Sequence, residues 1–379
     1  MQDLAALDAE TLPAGIRARF VRGINGLDMH LLEAGHESGD RPCVLLLHGF
    51  PELAYSWRKV MLPLAQAGYH VVAPDQRGYG RTTGGDGGYG ADLEAYRMLN
   101  LARDALGLVF ALGYSSVAAV VGHDFGSPVA AHCALIRPDI FRAVVLMSAP
   151  FGGTPALSTD NTPAPDIHAD LAALARPRKH YQWYYSTPEA NGDMLDCPQG
   201  THDFLRAYYH HKSADWAGNK PYPLSAWTAE ELAKMPTYYI MELAQNMAET
   251  VAAEMPDADT IRNCTWLSED ELAVYTDEFS RTGFQGGLNW YRARTSGRFG
   301  ADLEIFSGRT IDVPSSFIAG ASDWGFHQLP GALEAMANNA CTRMDGPHLL
   351  PGAGHWVQQE QSEAVSALLV SFLERHRDR

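Results

Sequence analysis

Short runs of apolar residues, each closed by glycine, proline or aspartate, recur along this chain and alternate with longer stretches of helical character. The runs Cys43 to Leu47, His70 to Ala73, Val117 to Val121, Ala143 to Ser148 and Ser315 to Ala319 predict strands. Apolar on both faces, they predict buried strands of a mostly parallel, doubly wound sheet with helices on both sides, an α/β fold. Between Phe151 and about Gly300 the pattern changes. This stretch is rich in Tyr, Trp, Pro and His, predicts helices over Tyr238 to Glu254 and Glu269 to Ser280, and carries no strand alternation. It predicts a helical cap inserted into the sheet domain, giving a core over 1–150, a cap over 151–300 and the rest of the core over 301–379. The sheet pattern resumes at Ile311-Asp312-Val313-Pro314, and the chain closes with a predicted helix from Glu360 to Arg375. No internal repeat occurs, and the one low-complexity loop is Thr82 to Gly90.

Composition narrows the function classes. The length of 379 residues suits two domains or a core with a large insertion, and 46% hydrophobic residues can fill a sizeable interior. With 29 basic against 45 acidic side chains the net charge is -16, which excludes the basic footprint that nucleic acid demands. The five cysteines, Cys43, Cys133, Cys197, Cys264 and Cys341, lie far apart, so neither a zinc site nor a disulfide framework is expected. The first residues carry acid where a signal peptide needs base, and no apolar window reaches the roughly 18 residues of a membrane span. The expectation is a soluble cytoplasmic protein without metal or cofactor, whose partners are a small apolar substrate and water. Oligomeric state is left open between monomer and homodimer.

The chemistry centres on Val120-Val121-Gly122-His123-Asp124-Phe125-Gly126-Ser127-Pro128, a strand that breaks at two glycines around an aspartate and resumes as a helix. Hydrolases with a doubly wound sheet expose a nucleophile in such a Gly-x-nucleophile-x-Gly turn. The plain reading of Asp124 is a helix N-cap. Ser127 with Pro128 is at least as good a cap and first-turn pair, which leaves Asp124 free for chemistry.

Four further motifs accompany the elbow. They are His48-Gly49-Phe50-Pro51-Glu52 followed by Tyr55-Ser56-Trp57-Arg58; Asp75-Gln76-Arg77-Gly78-Tyr79-Gly80; Gly283-Phe284-Gln285-Gly286-Gly287-Leu288-Asn289-Trp290-Tyr291-Arg292; and Gly352-Ala353-Gly354-His355-Trp356. In this order they resemble the α/β-hydrolase superfamily across nearly the whole chain, and within it the soluble epoxide hydrolases. The resemblance implies the α/β-hydrolase fold, opening of epoxides to diols, and a cis peptide at Phe50-Pro51.

The residue types also support this chemistry directly. An aspartate attacking an ester would form a mixed anhydride more reactive than its substrate, whereas attack on a tetrahedral carbon with a leaving group forms an ordinary ester. That ester needs an activated water. His355, late in the chain in a glycine-rich loop, is the candidate base. Asp323, directly after a predicted strand, is the carboxylate that would orient it, although a turn aspartate is the commoner role. Backbone N–H groups of Phe50 and Phe125 are expected to form the oxyanion hole. His48 and His123 are expected to support the two turns.

An epoxide leaves as alkoxide and needs a proton donor, which tyrosine supplies at neutral pH. The resemblance assigns this role to Tyr291 and, on a short Tyr-Gln-x-Tyr pattern, to Tyr181, with Tyr184 or Tyr185 as alternatives. Haloalkane dehalogenases of the superfamily carry tryptophan after the nucleophile, and here Phe125 stands there. A haloalkane or haloacid dehalogenase is thus a less favoured alternative, as is a non-catalytic binding protein on the same scaffold. Phe50, Pro51, Phe125, Gln182, Trp183, Trp324, Phe326 and Trp356 are expected to line the substrate pocket.

Overall fold

The computed structural model of the protein describes residues 4–157 and 166–377. Ten strands are present among them: β1 (Ile16–Ile24), β2 (Leu27–Ala34), β3 (Cys43–Leu47), β4 (His70–Pro74), β5 (Ala119–His123), β6 (Val144–Met147), β7 (Arg178–His180), β8 (Ile240–Glu242), β9 (Ser315–Gly320) and β10 (Met344–Leu350). Eight form one sheet in the order β1-β2-β4-β3-β5-β6-β9-β10. From β4 to β10 neighbours run parallel, while β1 and β2 join antiparallel at one edge. The central strands β3 to β6 and β9 are buried along their whole length, which explains their unbroken apolar sequences. Helices α1 (Arg58–Gln66), α2 (Met98–Ala111) and α3 (Gly126–Ile136) follow β3, β4 and β5, α2 packing on α3 and α1 on the closing helix.

Several sequence expectations need correction. The strand expected at Val117 begins at Ala119 and runs on to His123, Val117 forming only an isolated bridge to Phe141. Strands β1 and β2 were not predicted, yet Asn25-Gly26 between them has φ of 50° and 83°, the signature of a two-residue hairpin turn. Strand β10 holds Gly346-Pro347, breaks register there and is partly exposed, as edge strands with proline do.

Between β6 and β9 the described residues are mainly helical, but they also hold the small antiparallel pair β7–β8. The helix expected over Tyr238 to Glu254 is therefore a strand followed by a short helix, Met247–Ala252, started by a capping box between Asn246 and Glu249. Strand pairing to Arg178–His180 and the Arg178 guanidinium on the Ile240 carbonyl hold the first part extended. The helix Glu269–Thr282 forms as expected, capped by Ser268 and Glu271. The closing helix is two pieces, Val357–Glu360 and Ser362–Arg375, broken at Gln361. The break arises because Glu360 turns back to accept N–H bonds from Gly354, Trp356 and Ala214.

Among the described residues no helix is long and apolar enough to cross a membrane. The Phe50-Pro51 bond is cis.

Candidate active site

Four turns leave the C-terminal ends of parallel strands and converge on one edge of the sheet, the usual position for a site in such folds. They carry Phe50 after β3, Asp124 after β5, Asp323 after β9 and His355 after β10. Asp124 has φ of 50°, a left-handed conformation that a non-glycine residue holds only under tight local constraint. Glycines on either side permit it: a Cβ on Gly122 would lie 2.1 Å from the Gly126 carbonyl oxygen, and one on Gly126 would lie 2.2 Å from that of Leu47. The expected Ser127–Pro128 cap does not form. Helix α3 starts at Gly126, one residue before that pair, so Ser127 and Pro128 lie inside its first turn, and the Ser127 hydroxyl donates instead to the Ala149 carbonyl at 2.6 Å.

The three predicted polar groups meet. His355 Nε2 lies 3.2 Å from Asp124 Oδ2, while its Nδ1 lies 3.1 Å and 3.3 Å from the two oxygens of Asp323. All three side chains are buried. Burial alone would raise the Asp124 pKa, but the His355 hydrogen bond and charge, with Lys212 and His123 behind them, hold it well below the usual carboxylate range. Asp323 is likewise held down against burial by His355 and by the Gly325 N–H, 2.6 Å away. Of the two expected oxyanion amides, Phe50 N–H donates to Asp124 Oδ1 at 3.0 Å. Phe125 N–H makes no hydrogen bond to the carboxylate in this ground-state geometry.

The supporting shell is polar and well connected. His48 Nδ1 donates to the Gly49 carbonyl, and its Nε2 accepts the Gln76 N–H. His123 sets Nδ1 on Glu52 at 2.6 Å and Nε2 on the His355 carbonyl at 2.7 Å. A carbonyl cannot donate, so Nε2 carries a proton, and a further proton is shared between Nδ1 and the carboxylate of Glu52. Glu52 also accepts from Gly49 N–H and Gln358, which fixes the turn carrying Phe50. Lys212, outside the sequence expectations, is buried with its ammonium over the rings of Tyr208, Tyr238, Tyr239 and Trp356. Its carbonyl accepts the His355 N–H at 2.9 Å. No local pattern in the sequence marks it.

A cavity of about 370 Å³ opens over Asp124, with Phe125, Tyr181, Gln182, Trp290 and Tyr291 in its wall. The Tyr181 and Tyr291 rings lie 5.9 Å apart, and burial together with the Asp124 charge raises the pKa of both phenols, so both keep their protons at neutral pH. Tyr184 and Tyr185 are not in the cavity wall, although the Tyr185 ring lies 5.1 Å from that of Tyr291; the Tyr184 hydroxyl donates to Asp193 and that of Tyr185 to Tyr208.

Most of the expected aromatic lining is not there. Phe50 is wedged edge-on beneath Tyr291, Tyr79 and Tyr185, and Pro51 is buried with its carbonyl under the Tyr209 hydroxyl. Trp183 packs on His168 and His180, Trp324 on Tyr222, and Phe326 on Phe317 and His327. Trp356 lies behind His355 with its N–H on the Tyr209 carbonyl. Large rings flank the motifs because they brace the loops, and the cavity wall comes instead from α3, from the start of α2, from residues 149–153 and from the segment around Gln328.

Residues 42–361 match the alpha/beta hydrolase fold family. Epoxide hydrolase A of Mycobacterium tuberculosis is 35% identical, over 92% of this chain and 95% of the relative. The epoxide hydrolase of Caballeronia sordidicola is 32% identical over 92% and 91%. Among solved structures, an epoxide hydrolase from an endophytic Streptomyces superposes with a TM-score of 0.77 at 32% identity, covering 97% of both chains. Potato (Solanum tuberosum) epoxide hydrolase I does so with a TM-score of 0.72 at 30% identity over 95% and 99%.

Proposed function

Because this chain belongs to the alpha/beta hydrolase fold family and, within it, to the epoxide hydrolases, we propose that it hydrolyses epoxides to vicinal diols through a covalent ester on Asp124. Oδ1 rests on the Phe50 amide, so Oδ2 is the oxygen that attacks a ring carbon. The C–O bond of the ring breaks as the Asp124–carbon bond forms, and Tyr181 and Tyr291 give hydrogen bonds and a proton to the departing oxygen. His355 Nε2, held by Asp323, then removes a proton from water as that water adds to the ester carbonyl. Oδ1 becomes the oxyanion on the Phe50 amide, with Phe125 N–H as the second donor in that state. Collapse of the intermediate breaks the bond between the carboxyl carbon and Oδ2, the departing diol oxygen takes the proton held by His355, the proton left on the added hydroxyl returns to the tyrosine, and Asp124 is regenerated as a carboxylate.

One observation carries this reading: a buried carboxylate held ionised, facing a cavity with two neutral tyrosines on one side and a histidine–aspartate pair on the other. Halide displacement is less well served. Phe125 has no ring N–H, and the Trp290 N–H is committed to the Arg77 carbonyl at 2.9 Å. Residues 151–300 act as the cap that brings the tyrosines over the core. Five unpaired cysteines, mostly buried, suit a reducing cytoplasm.

A single turnover with enzyme in excess, run in heavy-oxygen water, tests the ester. The first diol should carry the ordinary oxygen of Asp124, and heavy oxygen should enter the diol only on later turnovers. Heavy oxygen in the first diol means direct attack by water and ends the proposal.

A further inference from the structure

We propose that the cavity receives epoxides bearing a hydroxyl far from the ring, and that His132 Nε2 accepts the hydrogen bond of that hydroxyl. The proposal rests on the epoxide-opening reading above and adds a substrate class to it.

Phe125, Pro128 and His132 follow one another along the face of α3 that lines the cavity. From Asp124 to His132 the chain advances roughly 12 Å at about 1.5 Å per residue. His132 therefore lines the same cavity as the nucleophile, about two helical turns along α3 from it. It is only 7% exposed, and its Nδ1 lies 2.7 Å from the Pro128 carbonyl one turn back. A carbonyl only accepts, so Nδ1 carries the proton. Burial keeps the ring neutral, opposed only by that carbonyl, and no carboxylate among the described residues pairs with it. Nε2 is then a bare lone pair at the cavity wall, and no protein donor among the described residues reaches it. Phe151 packs edge-on against the ring and fixes its plane.

An acceptor with no protein donor at the wall of a cavity can bond a ligand O–H, a bond that an apolar ligand atom leaves unmade. A carboxylate or an ether at the same point offers only acceptors and is disfavoured there. Of the other polar groups in the wall, Arg97 Nη1 lies 3.4 Å from Asp302 and Gln328 Nε2 donates to the Gly325 carbonyl, while Gln328 Oε1 has no partner among the described residues and is a second acceptor. Recognition of a hydroxyl by a site built to bond it is the form of selectivity that a purely apolar pocket cannot supply.

The test compares kcat/KM for a straight-chain decanol carrying the oxirane at its far end with kcat/KM for its methyl ether, alongside styrene oxide. Wild-type protein should favour the alcohol about tenfold. His132→Phe should bring the ratio close to one, and His132→Gln, whose side-chain oxygen can accept, should keep the alcohol ahead. Wild-type protein that hydrolyses styrene oxide yet treats alcohol and ether alike overturns this inference and leaves the epoxide-opening reading intact, as does an alcohol preference that survives in His132→Phe. Failure to hydrolyse any of the three overturns both.

Discussion

At the residue scale the division of labour follows from which atoms face Asp124. In the proposed mechanism the tyrosines serve the ring-opening step and His355 serves the ester, so the two halves of the reaction should separate on mutation. Tyr291→Phe should slow alkylation by about a hundredfold, the lower end for a general acid because Tyr181 remains, while ester hydrolysis keeps its rate. Stopped-flow fluorescence under single-turnover conditions reads both phases, and an equal fall in both would contradict the assignment. Asp124, Asp323 and His355 were legible because each occupies a turn whose glycines or preceding strand mark it. Choosing Tyr181 over Tyr184 and Tyr185 rested on resemblance, and only the fold shows that its neighbours spend their hydroxyls elsewhere. Lys212 and His132 lie inside ordinary helices, Gly200–Lys212 and Gly126–Ile136, so nothing local distinguishes them. The tryptophans misled because a large ring beside a motif can brace a loop as readily as it can line a pocket.

At the element scale the buried strands were easy to read, since both faces are apolar, and the edge strands were not. Strands β1 and β2 are half-exposed or carry polar residues, among them Glu33. That carboxylate holds the hairpin: Arg17 and Arg19 on β1 lie 2.9 Å and 2.6 Å from it, and His70 on β4 lies 3.2 Å away. Burial pushes its pKa up, but His70 and the two arginines outweigh burial and hold it far below the ordinary glutamate range. A depressed folded pKa contributes stability that is present above the unfolded value of about 4.3 and lost as pH falls below it. The unfolding free energy from urea melts should fall further between about pH 6 and pH 3 for wild type than for Glu33→Gln, by about 1 kcal/mol once solvent screening at the exposed arginines is allowed for. Parallel pH profiles for the two proteins would contradict this.

At the scale of the whole molecule, the inserted segment must dock on the core closely enough to set two tyrosines over one carboxylate. The helix Gln285–Thr295 does this at a point of backbone contact: a Cβ on Gly286 would lie 1.9 Å from the Gly78 carbonyl oxygen. Trp290 bonds the Arg77 carbonyl and Asn289 the Gly88 carbonyl from the same helix. Farther along, Arg58 reaches Glu271 at 3.0 Å and Gln359 at 2.9 Å. The Gly-Gly of this motif was legible as part of a pattern, but its reason, contact with a second glycine about two hundred residues earlier, exists only in three dimensions. Gly286→Ala should cost about 2 kcal/mol by overpacking and lower kcat/KM as Tyr291 moves with its helix. Gly192→Ala, where a Cβ meets nothing nearer than 4.0 Å inside the helix Ala190–Leu195, should leave kcat/KM unchanged and raise stability by up to about 1 kcal/mol. Urea melts and steady-state kinetics on the two variants check this, and a Gly286→Ala protein indistinguishable from wild type would refute the docking account.

The central claim is that Asp124 becomes an ester, and the most direct measurement is its mass. His355→Ala protein incubated with styrene oxide should gain the mass of one whole epoxide, and digestion should locate that mass on the peptide carrying Asp124, because the base that clears the ester is gone. A folded His355→Ala protein that gains no mass, or gains it on another residue, would contradict the mechanism.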